Sequence, residues 1–309
     1  MIQLFARSKG MREAVSLAER VSATASTILI TGESGAGKDA LALFIHANSS
    51  RANQPFVKID CTTLPAPLLE AELFGYERGA FTGANESKPG RLEAANKGTI
   101  VLDEIAHLSI DAQAKLLRVI EEREFERLGG RNTIKLDARI LALTNVNLDD
   151  AARRRAFRVD LFFRLNVIQI HVPPLREREA DLSQLIRYFI RLYARKHGRT
   201  VRGISAAALE TLANYDFPGN ARELSNIIER AVIVSKPRKI DVDDLPSSVT
   251  AAAKTKRQRE RPRSLAELEA DYIREILTAT DGNKTECARI LGISRKNLYE
   301  KIARYGLRQ

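Results

Sequence analysis

Short apolar runs alternate with segments of helical periodicity in the first part of the chain. The runs TILIT, TIVLD and ARILALT have continuously apolar centres and end at residues 31, 103 and 144, and the helical patterns KDALALFIHA and DAQAKLLRVIEE lie between them. Strands that are apolar at every position are typical of parallel sheets, because crossover helices cover both faces. The pattern therefore predicts an α/β subdomain, which we place at residues 1–175.

The pattern changes after the segment PPLRERE. From Asp181 to about Val234 the apolar spacing is helical throughout, which predicts a separate all-helical subdomain at residues 176–250. Residues 251–263 then hold three alanines and the strongly basic run KTKRQRERPR, which is too polar to form a core. We expect this segment to be a flexible basic linker that precedes a small unit at residues 264–309.

The amino-acid composition limits the cellular compartment and the class of binding partner that can be expected. The 50 Lys and Arg residues outnumber the 39 Asp and Glu and give a net charge of +11, which favours a polyanionic partner without distinguishing nucleic acid from a merely basic surface. Cys61 and Cys287 are far apart and the four histidines show no ligand spacing, so neither disulfides nor a zinc site is indicated. Apolar runs are too short for a signal peptide or membrane span. We expect a reducing, cytoplasmic setting and no membrane partner.

A glycine-rich segment follows the first apolar run and precedes a helix. Glycines let backbone N–H groups turn inward around phosphates, the helix N-terminus adds positive dipole, and Lys38 can reach the β- and γ-phosphates. Asp39 stands where a Ser or Thr usually touches Mg²⁺, and its carboxylate could act through a water. A chance glycine-rich turn is the alternative. The predicted phosphate loop comprises Gly32, Glu33, Ser34, Gly35, Ala36, Gly37, Lys38 and Asp39.

Polar residues at the ends of two later strands fit hydrolysis of a nucleoside triphosphate. Asp103 and Glu104 end the run TIVLDE, where Asp103 can hold Mg²⁺ and Glu104 can polarise the attacking water. Asn145 follows ARILALT, and its amide could contact the γ-phosphate or that water. Alone, these residues would be solvated acids and a turn residue; beside a phosphate loop they predict an ATP and Mg²⁺ site.

The C-terminal unit has the form of a helix-turn-helix. An amphipathic helix ends at Asp281-Gly282-Asn283, and the segments KTECARILG and ISRKNLYEKIARYGL then read as helix, glycine turn and helix. Such a second helix enters the major groove with its first turn. A small helical dimerisation module is the alternative. The predicted DNA-binding residues are the helix cap Ser294 and the side chains of Arg295, Lys296, Asn297 and Lys301.

Ordered motifs along almost the whole chain resemble the sigma-54-dependent transcriptional activators, also called bacterial enhancer-binding proteins. The segment ELFGYERGAFTGA contains their GAFTGA signature, GESGAGKD resembles their Walker A motif, and ANKGTIVLDE resembles their Walker B motif. FRVDLFFRLNVIQIHVPPLRERE and FPGNARELSNIIERAV resemble the end of their core and their sensor II helix. The family departures are Phe217, where Trp is usual, and Asp60, where Asn is usual.

The resemblance implies an AAA+ P-loop fold with a helical lid, followed by a Fis-type helix-turn-helix domain that binds palindromic upstream sites as a dimer. It implies Asn145 as sensor I, Arg222 as sensor II, and Arg158 and Arg164 as arginines that reach the nucleotide of a neighbouring subunit. Guanidinium groups suit that role, although both arginines could instead form surface ion pairs. Action in trans implies a ring, usually a hexamer.

The GAFTGA segment is poorly suited to a core, because its glycines, alanines and single aromatic ring would bury little surface. We expect an exposed loop tip; in the family this loop contacts sigma-54. The expected contact comprises Gly79, Ala80, Phe81, Thr82, Gly83 and Ala84, with Phe81 and Thr82 foremost.

Asp60 occupies the position whose Asn is thought to hold the catalytic glutamate in a nucleotide-sensing switch. We expect an Asp there to repel Glu104 rather than donate to it, unless one carboxyl is protonated.

The resemblance implies that the chain remodels closed complexes of sigma-54 RNA polymerase into open complexes. A generic AAA+ remodeller would lack GAFTGA, and a plain DNA-binding regulator would have no need of Glu104 and the two arginines. The chain begins almost at the ATPase segment, so we expect no room for a sensor domain. Control is then expected from a separate protein, from abundance, or from a domain removed from this chain.

Overall fold

The computed structural model describes residues 4–236, 238–260 and 264–307, and over 256–260 it describes the backbone alone. These residues divide into two compact units, Met1–Ala253 and Lys254–Gln309. Among them, no helix has the length and apolar character that crossing a membrane requires.

The strands are β1 Ile28–Thr31, β2 Phe56–Asp60, β3 Gly75–Tyr76, β4 Lys88–Pro89, β5 Thr99–Asp103, β6 Glu124–Glu126, β7 Thr133–Lys135, β8 Arg139–Thr144, β9 Ile168–His171, β10 Gly203–Ile204 and β11 Lys239–Ile240. The helices are α1 Lys9–Ser22, α2 Lys38–Ala47, α3 Ala66–Phe74, α4 Arg91–Ala94, α5 Ile110–Glu122, α6 Leu148–Arg153, α7 Val159–Leu165, α8 Glu179–Lys196, α9 Ala206–Ala213, α10 Asn220–Val234, α11 Ser247–Glu260, α12 Leu265–Ala279, α13 Lys284–Ile290 and α14 Arg295–Arg304.

A parallel sheet with the strand order β2-β5-β8-β1-β9 forms the centre of the first unit. Strands β5 and β8 are buried at every position, because apolar clusters cover both faces of the sheet. The α/β fold predicted from the apolar runs is therefore confirmed. Parallel pairing brings the ends of β1, β5 and β8, at Thr31, Asp103 and Thr144, to one edge of the sheet.

Two short antiparallel hairpins extend from the sheet and have no counterpart in the sequence prediction. One joins β3 to β4, and the other joins β6 to β7. Their strands are two or three residues long and largely polar, so they carry no recognisable period in the sequence.

Helices α8, α9 and α10 build a second apolar core, which confirms the helical lid. The segment is not helical throughout, because Gly203–Ile204 pairs in parallel with Lys239–Ile240. Two residues are too few to show a strand period, which explains the error in the prediction.

A buried carboxylate joins the lid to the N-terminal segment. Asp181, at the start of α8, is fully buried and accepts hydrogen bonds from Ser8 Oγ at 2.8 Å and Arg178 Nε at 3.1 Å. It also accepts from the backbone N–H groups of Arg7 and Ser8. Burial acts to raise the pKa of Asp181, but these hydrogen bonds hold it below its ordinary value.

Arg178 extends this cluster to the glycine-rich loop. Its guanidinium donates to the carbonyl oxygen of Ala36 at 3.1 Å and to that of Phe5 at 3.0 Å, and the residue is buried. The loop, the lid and the N-terminal segment therefore share one buried ion pair.

Substitution of Asp181 by Asn is expected to lower the free energy of unfolding by about 3–5 kcal/mol, because it leaves the buried Arg178 without its counter-charge. Equilibrium unfolding in urea, followed by circular dichroism, measures the loss. A folded-state pKa below the unfolded value adds stability above about pH 4, and that stability is lost as pH falls through the folded value. The Asn variant should lack this acid-dependent part.

The exposed pair of Arg118 and Glu122 provides the control, since its atoms lie 3.0 Å apart on the surface of α5. Glu122→Gln should change the free energy of unfolding by less than about 1 kcal/mol. Equal effects of the two substitutions would show that burial of the Asp181 pair is not important.

The prediction of an unstructured linker is wrong for most of the segment. Helix α11 begins at Ser247 and continues to Glu260, well past the predicted boundary at residue 251. Ala, Lys, Gln, Arg and Glu all have high helix propensity, so a composition that cannot form a core can still form a helix. The remaining linker residues, 261–263, lie outside the described part of the chain.

The second unit contains α12, α13 and α14 around a small core. Ser294 caps α14 by accepting a hydrogen bond from Asn297 N at 3.2 Å, as predicted. Leu298 is fully buried, as a helix-turn-helix core requires, whereas Leu291, Ile293 and Ile302 are half-buried against the cluster. The cluster is formed by Ile273, Cys287, Ala288, Leu298 and Leu307, with Leu291, Ile293 and Ile302 packed on it.

Candidate functional site

The glycine-rich loop connects the end of β1 to the start of α2. Gly37 precedes α2 with φ 111°, and a Cβ there would face open space. Gly35 has φ 74°, and a Cβ there would collide with the carbonyl oxygen of Gly219 in the lid. Gly35 is therefore required by lid packing, while Gly37 leaves the helix N-terminus open to a phosphate.

Lys38 is buried beneath this loop. Its ammonium donates to the carbonyl oxygen of Gly32 at 2.8 Å, to that of Glu33 at 3.3 Å, and to Glu104 Oε1 at 3.4 Å. A buried ammonium held largely by loop carbonyls is already placed where it can transfer these hydrogen bonds to phosphate oxygens.

Glu104 is the first residue after β5 and has left-handed backbone geometry, with φ 52°. Its Oε2 accepts a hydrogen bond from Asn145 N at 3.1 Å, and its Oε1 faces Lys38. The structure thus brings together three predicted site residues from the ends of β5 and β8 and the start of α2. The strain of a left-handed glutamate is typical of functional sites.

Asp39 and Asp103 converge on one cation. Lys58 Nζ, on β2, lies 2.5 Å from Asp39 Oδ1 and 2.7 Å from Asp103 Oδ2. Two carboxylates that can share an ammonium are also spaced to serve a divalent cation directly or through water. In the part of the chain that the structure describes, no group of three or more His, Cys, Asp and Glu side chains could hold a metal. A divalent cation at this pair would therefore need further ligands from outside these side chains.

The lid contacts the loop through the start of α10. Ala221 N donates to Gly35 O at 3.0 Å, and Arg222 donates to Ser34 Oγ at 2.9 Å. Asn220 is fully buried and donates to Ser34 O at 3.0 Å. These contacts place Arg222 beside the loop.

The side chain of Glu33 faces the lid rather than the loop interior. Arg176 donates two hydrogen bonds to its carboxylate, at 2.9 and 2.6 Å, and Asn220 donates one at 3.0 Å. The hydrogen bonds from Arg176 and Asn220 lower the pKa of Glu33 to about 2. The carboxylate of Glu33 therefore holds the lid against the loop, and its predicted role in phosphate binding stays a prediction.

Sequence reasoning missed four residues around this site: Arg176, Arg178, Asn220 and Lys58. The first three lie in PPLRERE and PGNARE, whose charged and amide side chains, together with the adjacent prolines, were the available signal. Lys58 gave no signal, because a lysine in the strand FVKID reads as an edge or surface residue.

Asp60 makes its hydrogen bonds locally. Its Oδ1 accepts from Thr62 N at 2.8 Å and from Thr62 Oγ1 at 2.6 Å. Burial acts to raise the pKa of Asp60, but the hydrogen bonds from Thr62 and the charge of Lys58 lower it. Asp60 lies opposite Asp103 in the β2-β5 register, and its proposed switch role stays a prediction.

The GAFTGA segment forms a turn between β3 and β4 with an exposed tip, as expected, but the expectation is wrong for Ala84, which is buried, and Ala80 is only half-exposed. Gly79 N donates to Ala84 O at 2.9 Å and closes the turn, while Thr82 and Gly83 face solvent. The ring of Phe81 is 41% exposed and packs edge-on against Tyr76, with ring centres 5.0 Å apart.

The hairpin of β6 and β7 supports the base of this turn. Leu128 exchanges backbone hydrogen bonds with Gly75 and Glu77, at 2.9 and 3.0 Å. A Cβ on Gly129 would lie 2.9 Å from the Cβ of Ala80, so the two segments are in close contact. The exposed tip is thus held on a defined base.

Arg158 and Arg164 lie at the ends of α7 on an exposed surface. Arg158 binds Asp160 through Nε at 3.0 Å and Nη2 at 2.7 Å, and Arg164 Nε lies 2.7 Å from Glu121 Oε1. In the single chain both arginines therefore form the surface ion pairs that were the alternative. Apolar side chains of the same segment are exposed beside them: Val159 by 54%, Phe163 by 69% and Val167 by 61%.

The first turn of α14 exposes Arg295, Lys296 and Asn297. Lys301, one turn further, forms an ion pair with Glu269 of α12 at 2.6 Å, so its ammonium is engaged within the unit. Tyr299 was missed by the sequence prediction; it is exposed on the same helix, and Lys284 Nζ lies 5.3 Å from the centre of its ring.

The chain belongs to the Sigma-54 interaction domain family, whose profile matches residues 4–171. The profile of the AAA+ ATPase lid domain matches residues 176–262, and that of the Fis family of bacterial regulatory proteins matches residues 264–305. The chain is thus an AAA+ protein with a Fis-type helix-turn-helix, as the motifs indicated.

Named relatives support this membership. The chain is 44% identical to the regulatory protein AtoC of Escherichia coli (strain K12) over an alignment of 296 residues that covers 93% of this chain and 64% of the relative. It is 44% identical to the nitrogen fixation protein VnfA of Azotobacter vinelandii over an alignment of 309 residues that covers 98% of this chain and 59% of the relative. The chain therefore spans about three fifths of the length of these relatives.

A solved structure of NtrX from Brucella abortus in complex with ATP has a similar fold. The TM-score is 0.73 at 35% sequence identity, over 98% of this chain and 69% of that chain. NtrX has also been solved in complex with ADP, with a TM-score of 0.74.

Proposed function

We propose that this chain is a DNA-binding transcription activator that hydrolyses ATP to convert closed complexes of sigma-54 RNA polymerase into open complexes. One observation carries the proposal: a phosphate loop with Lys38 and Glu104 in contact shares a subdomain with the exposed turn that carries Phe81 and Thr82. The proposal combines an energy source with a surface that can transmit its effect.

The test is an open-complex assay with purified sigma-54 polymerase and a supercoiled promoter that carries the chain's own binding site. We expect promoter melting, detected by permanganate reactivity, to require this protein and hydrolysable ATP. Melting with ADP alone, or with the housekeeping polymerase instead, would contradict the proposal.

The residues at the loop have separable roles in this proposal. Lys38 moves its hydrogen bonds from the carbonyls of Gly32 and Glu33 to phosphate oxygens, and Glu104 orients and polarises the attacking water. Asn145, at the end of the sheet, and Arg222, on the lid beside the loop, would contact the γ-phosphate. Bound Mg²⁺ supplies neutralisation of phosphate charge, and Asp103 and Asp39 are the residues that would hold it.

Assembly completes the site in this proposal. The apolar surface of α7 lies beside Arg158 and Arg164, and exposed apolar patches rimmed by polar groups mark protein interfaces. We infer that a second copy of the chain covers this surface in a ring, usually a hexamer, and that Arg164 and Arg158 then reach its nucleotide.

Residues 264–309 are the proposed DNA-binding domain, acting as a dimer on palindromic upstream sites. Helix α12 exposes Leu265 by 86%, Leu268 by 43% and Tyr272 by 52%. Their spacing of three and four residues places them on one face, which supports a dimer contact. Residues 1–175, 176–250 and 251–263 remain the proposed nucleotide-binding subdomain, lid and basic connection.

Base recognition and phosphate attraction should separate experimentally. Arg295→Ala or Asn297→Ala is expected to cost about 1–3 kcal/mol at the specific site, because these exposed side chains can bond guanine or adenine edges. Neutralising the basic residues of 254–263 should instead weaken binding to all DNA and reduce the salt slope by about one unit for each phosphate that the protein no longer neutralises. Fluorescence anisotropy on specific and scrambled duplexes measures both.

Arg274, an exposed arginine on α12, provides a matched control. Arg274→Ala should leave specific affinity nearly unchanged. If residues 264–309 proved folded and dimeric yet selected no DNA sequence over competitor, the unit would be a dimerisation module instead.

We propose a cytoplasmic location and control by a separate regulatory protein. Both cysteines are buried and free, which fits a reducing setting. Capture of a regulator from the native host, followed by its effect on ATP turnover, tests the second proposal.

A further inference from the structure

Lys58 binds the same two carboxylates that the proposed function assigns to Mg²⁺. Its ammonium lies 2.5 Å from Asp39 and 2.7 Å from Asp103, and the proposed function gives it no role in phosphate binding or hydrolysis. It extends from β2, whose strand pairs directly with the strand that carries Asp103. Its position is therefore fixed by the sheet and not by a mobile loop.

We propose that Lys58 is an internal substitute for the divalent cation. In the nucleotide-free chain its ammonium binds the Asp39 and Asp103 pair, and this makes metal binding dependent on nucleotide. The proposal rests on the proposed function, because it assumes that this pair serves Mg²⁺ when ATP is bound.

Electrostatics explains why a substitute is useful. Two carboxylates that converge on one point repel each other when no cation lies between them, which raises the free energy of the empty site. A tethered ammonium removes that repulsion at a high effective concentration, without any free ligand.

The same ammonium weakens metal binding in the absence of nucleotide. A divalent cation must displace Lys58 and lose part of its water shell while gaining only two protein carboxylates. Phosphate oxygens add further ligands, so nucleotide and metal together can displace the lysine. Asp60 lies two residues along β2 and so on the same face of the strand, which gives the displaced ammonium a third carboxylate nearby.

Manganese binding without nucleotide tests the proposal. Mn²⁺ serves as the probe, and electron paramagnetic resonance of the free ion gives its dissociation constant. We expect Lys58→Met to bind Mn²⁺ at least about tenfold more tightly than the unmodified protein, which corresponds to about 1.4 kcal/mol. Lys58→Arg should keep the weak binding, because its guanidinium still lies between the carboxylates.

Stability provides a second readout. In EDTA, Lys58→Met is expected to melt at a lower temperature than the unmodified protein. Millimolar Mg²⁺ should raise the melting temperature of the variant more than that of the unmodified protein. Lys9→Met removes an exposed lysine of α1 and is the control for the loss of charge alone. Lys58→Gln, which keeps a polar side chain, replaces the Met variant if that one fails to fold.

The outcomes distinguish failure of the proposed role of Lys58 from failure of the proposed nucleotide and metal site. Equal Mn²⁺ affinity of the Met, Arg and unmodified proteins without nucleotide would overturn the role of Lys58. Failure of the unmodified protein to bind Mn²⁺ even with ADP present would instead contradict the proposed nucleotide and metal site.

Discussion

Glu104→Gln is expected to reduce ATP turnover by about 10²- to 10⁴-fold, the usual contribution of a general base, while ATP still binds. The glutamate accepts from Asn145 N–H at 3.1 Å and from Lys38 at 3.4 Å, so an amide of the same shape can keep one of these hydrogen bonds but cannot accept a proton from water. Phosphate release measures turnover, and the fluorescence of a labelled ADP measures binding. Loss of binding and turnover together would show that Glu104 serves the fold or the nucleotide contact instead.

Arg164→Ala should be comparably damaging for a different reason. An arginine that reaches a neighbour's nucleotide contributes about 10³- to 10⁵-fold to turnover. In the single chain Arg164 is bound to Glu121 at 2.7 Å, so assembly must exchange this ion pair for the contact in trans. Glu121→Gln is the matched control, and it should retain turnover because it only releases the arginine.

Mixing the two inactive variants tests whether they act on the same site from different chains. An interface formed by Glu104 of one subunit and Arg164 of the next is intact in some mixed rings, so the mixture should regain part of the activity. Turnover per subunit should also rise with protein concentration. Turnover that is independent of concentration, with no gain on mixing, would contradict action in trans.

The central sheet and the position of the nucleotide site could be predicted because both depend on continuous sequence. Strands β5 and β8 are buried at every position, and this burial is directly visible as TIVLD and ARILALT. Parallel pairing then brings Asp103, Thr144 and the glycine-rich loop to one edge. The geometry follows from the fold class once the strands are recognised.

The contacts of individual side chains could not be predicted in the same way. The sequence predicts Glu33 as part of a phosphate loop. In the structure its carboxylate binds Arg176 and Asn220, which are more than 140 residues away in the chain. Lys58 is similarly invisible until the sheet places it beside Asp103. Such pairs depend on how separate elements meet, which no local pattern contains.

The basic segment after residue 250 shows a different limit. Its composition excludes a core, and low hydrophobicity by itself predicts an unstructured chain, although Ala, Lys and Arg favour helix. Helix α11 continues to Glu260, so low hydrophobicity excludes a core in this segment but does not exclude a helix.

The GAFTGA turn leads to a prediction that separates ATP hydrolysis from open-complex formation. Thr82 is exposed at the tip, while the turn is closed below it by the hydrogen bond from Gly79 N to Ala84 O. The base is fixed by Leu128 of the neighbouring hairpin and by contact of Gly129 with Ala80. Removal of the threonine hydroxyl and methyl therefore changes the tip alone.

Thr82→Ala should keep ATP turnover within about threefold of the unmodified protein, since an interaction absent from the hydrolytic transition state leaves its barrier unchanged. Open-complex formation by sigma-54 polymerase should fall at least about 100-fold, because removing a central interface residue that contributes about 3 kcal/mol has an effect of that size. Thr211→Ala, which removes a lid threonine hydroxyl bonded to Ala207 O, should preserve both activities. Permanganate reactivity at the promoter and phosphate release in the same reaction measure the two effects together. Melting that survives in Thr82→Ala would mean that another surface of this chain transmits the work of hydrolysis to the polymerase.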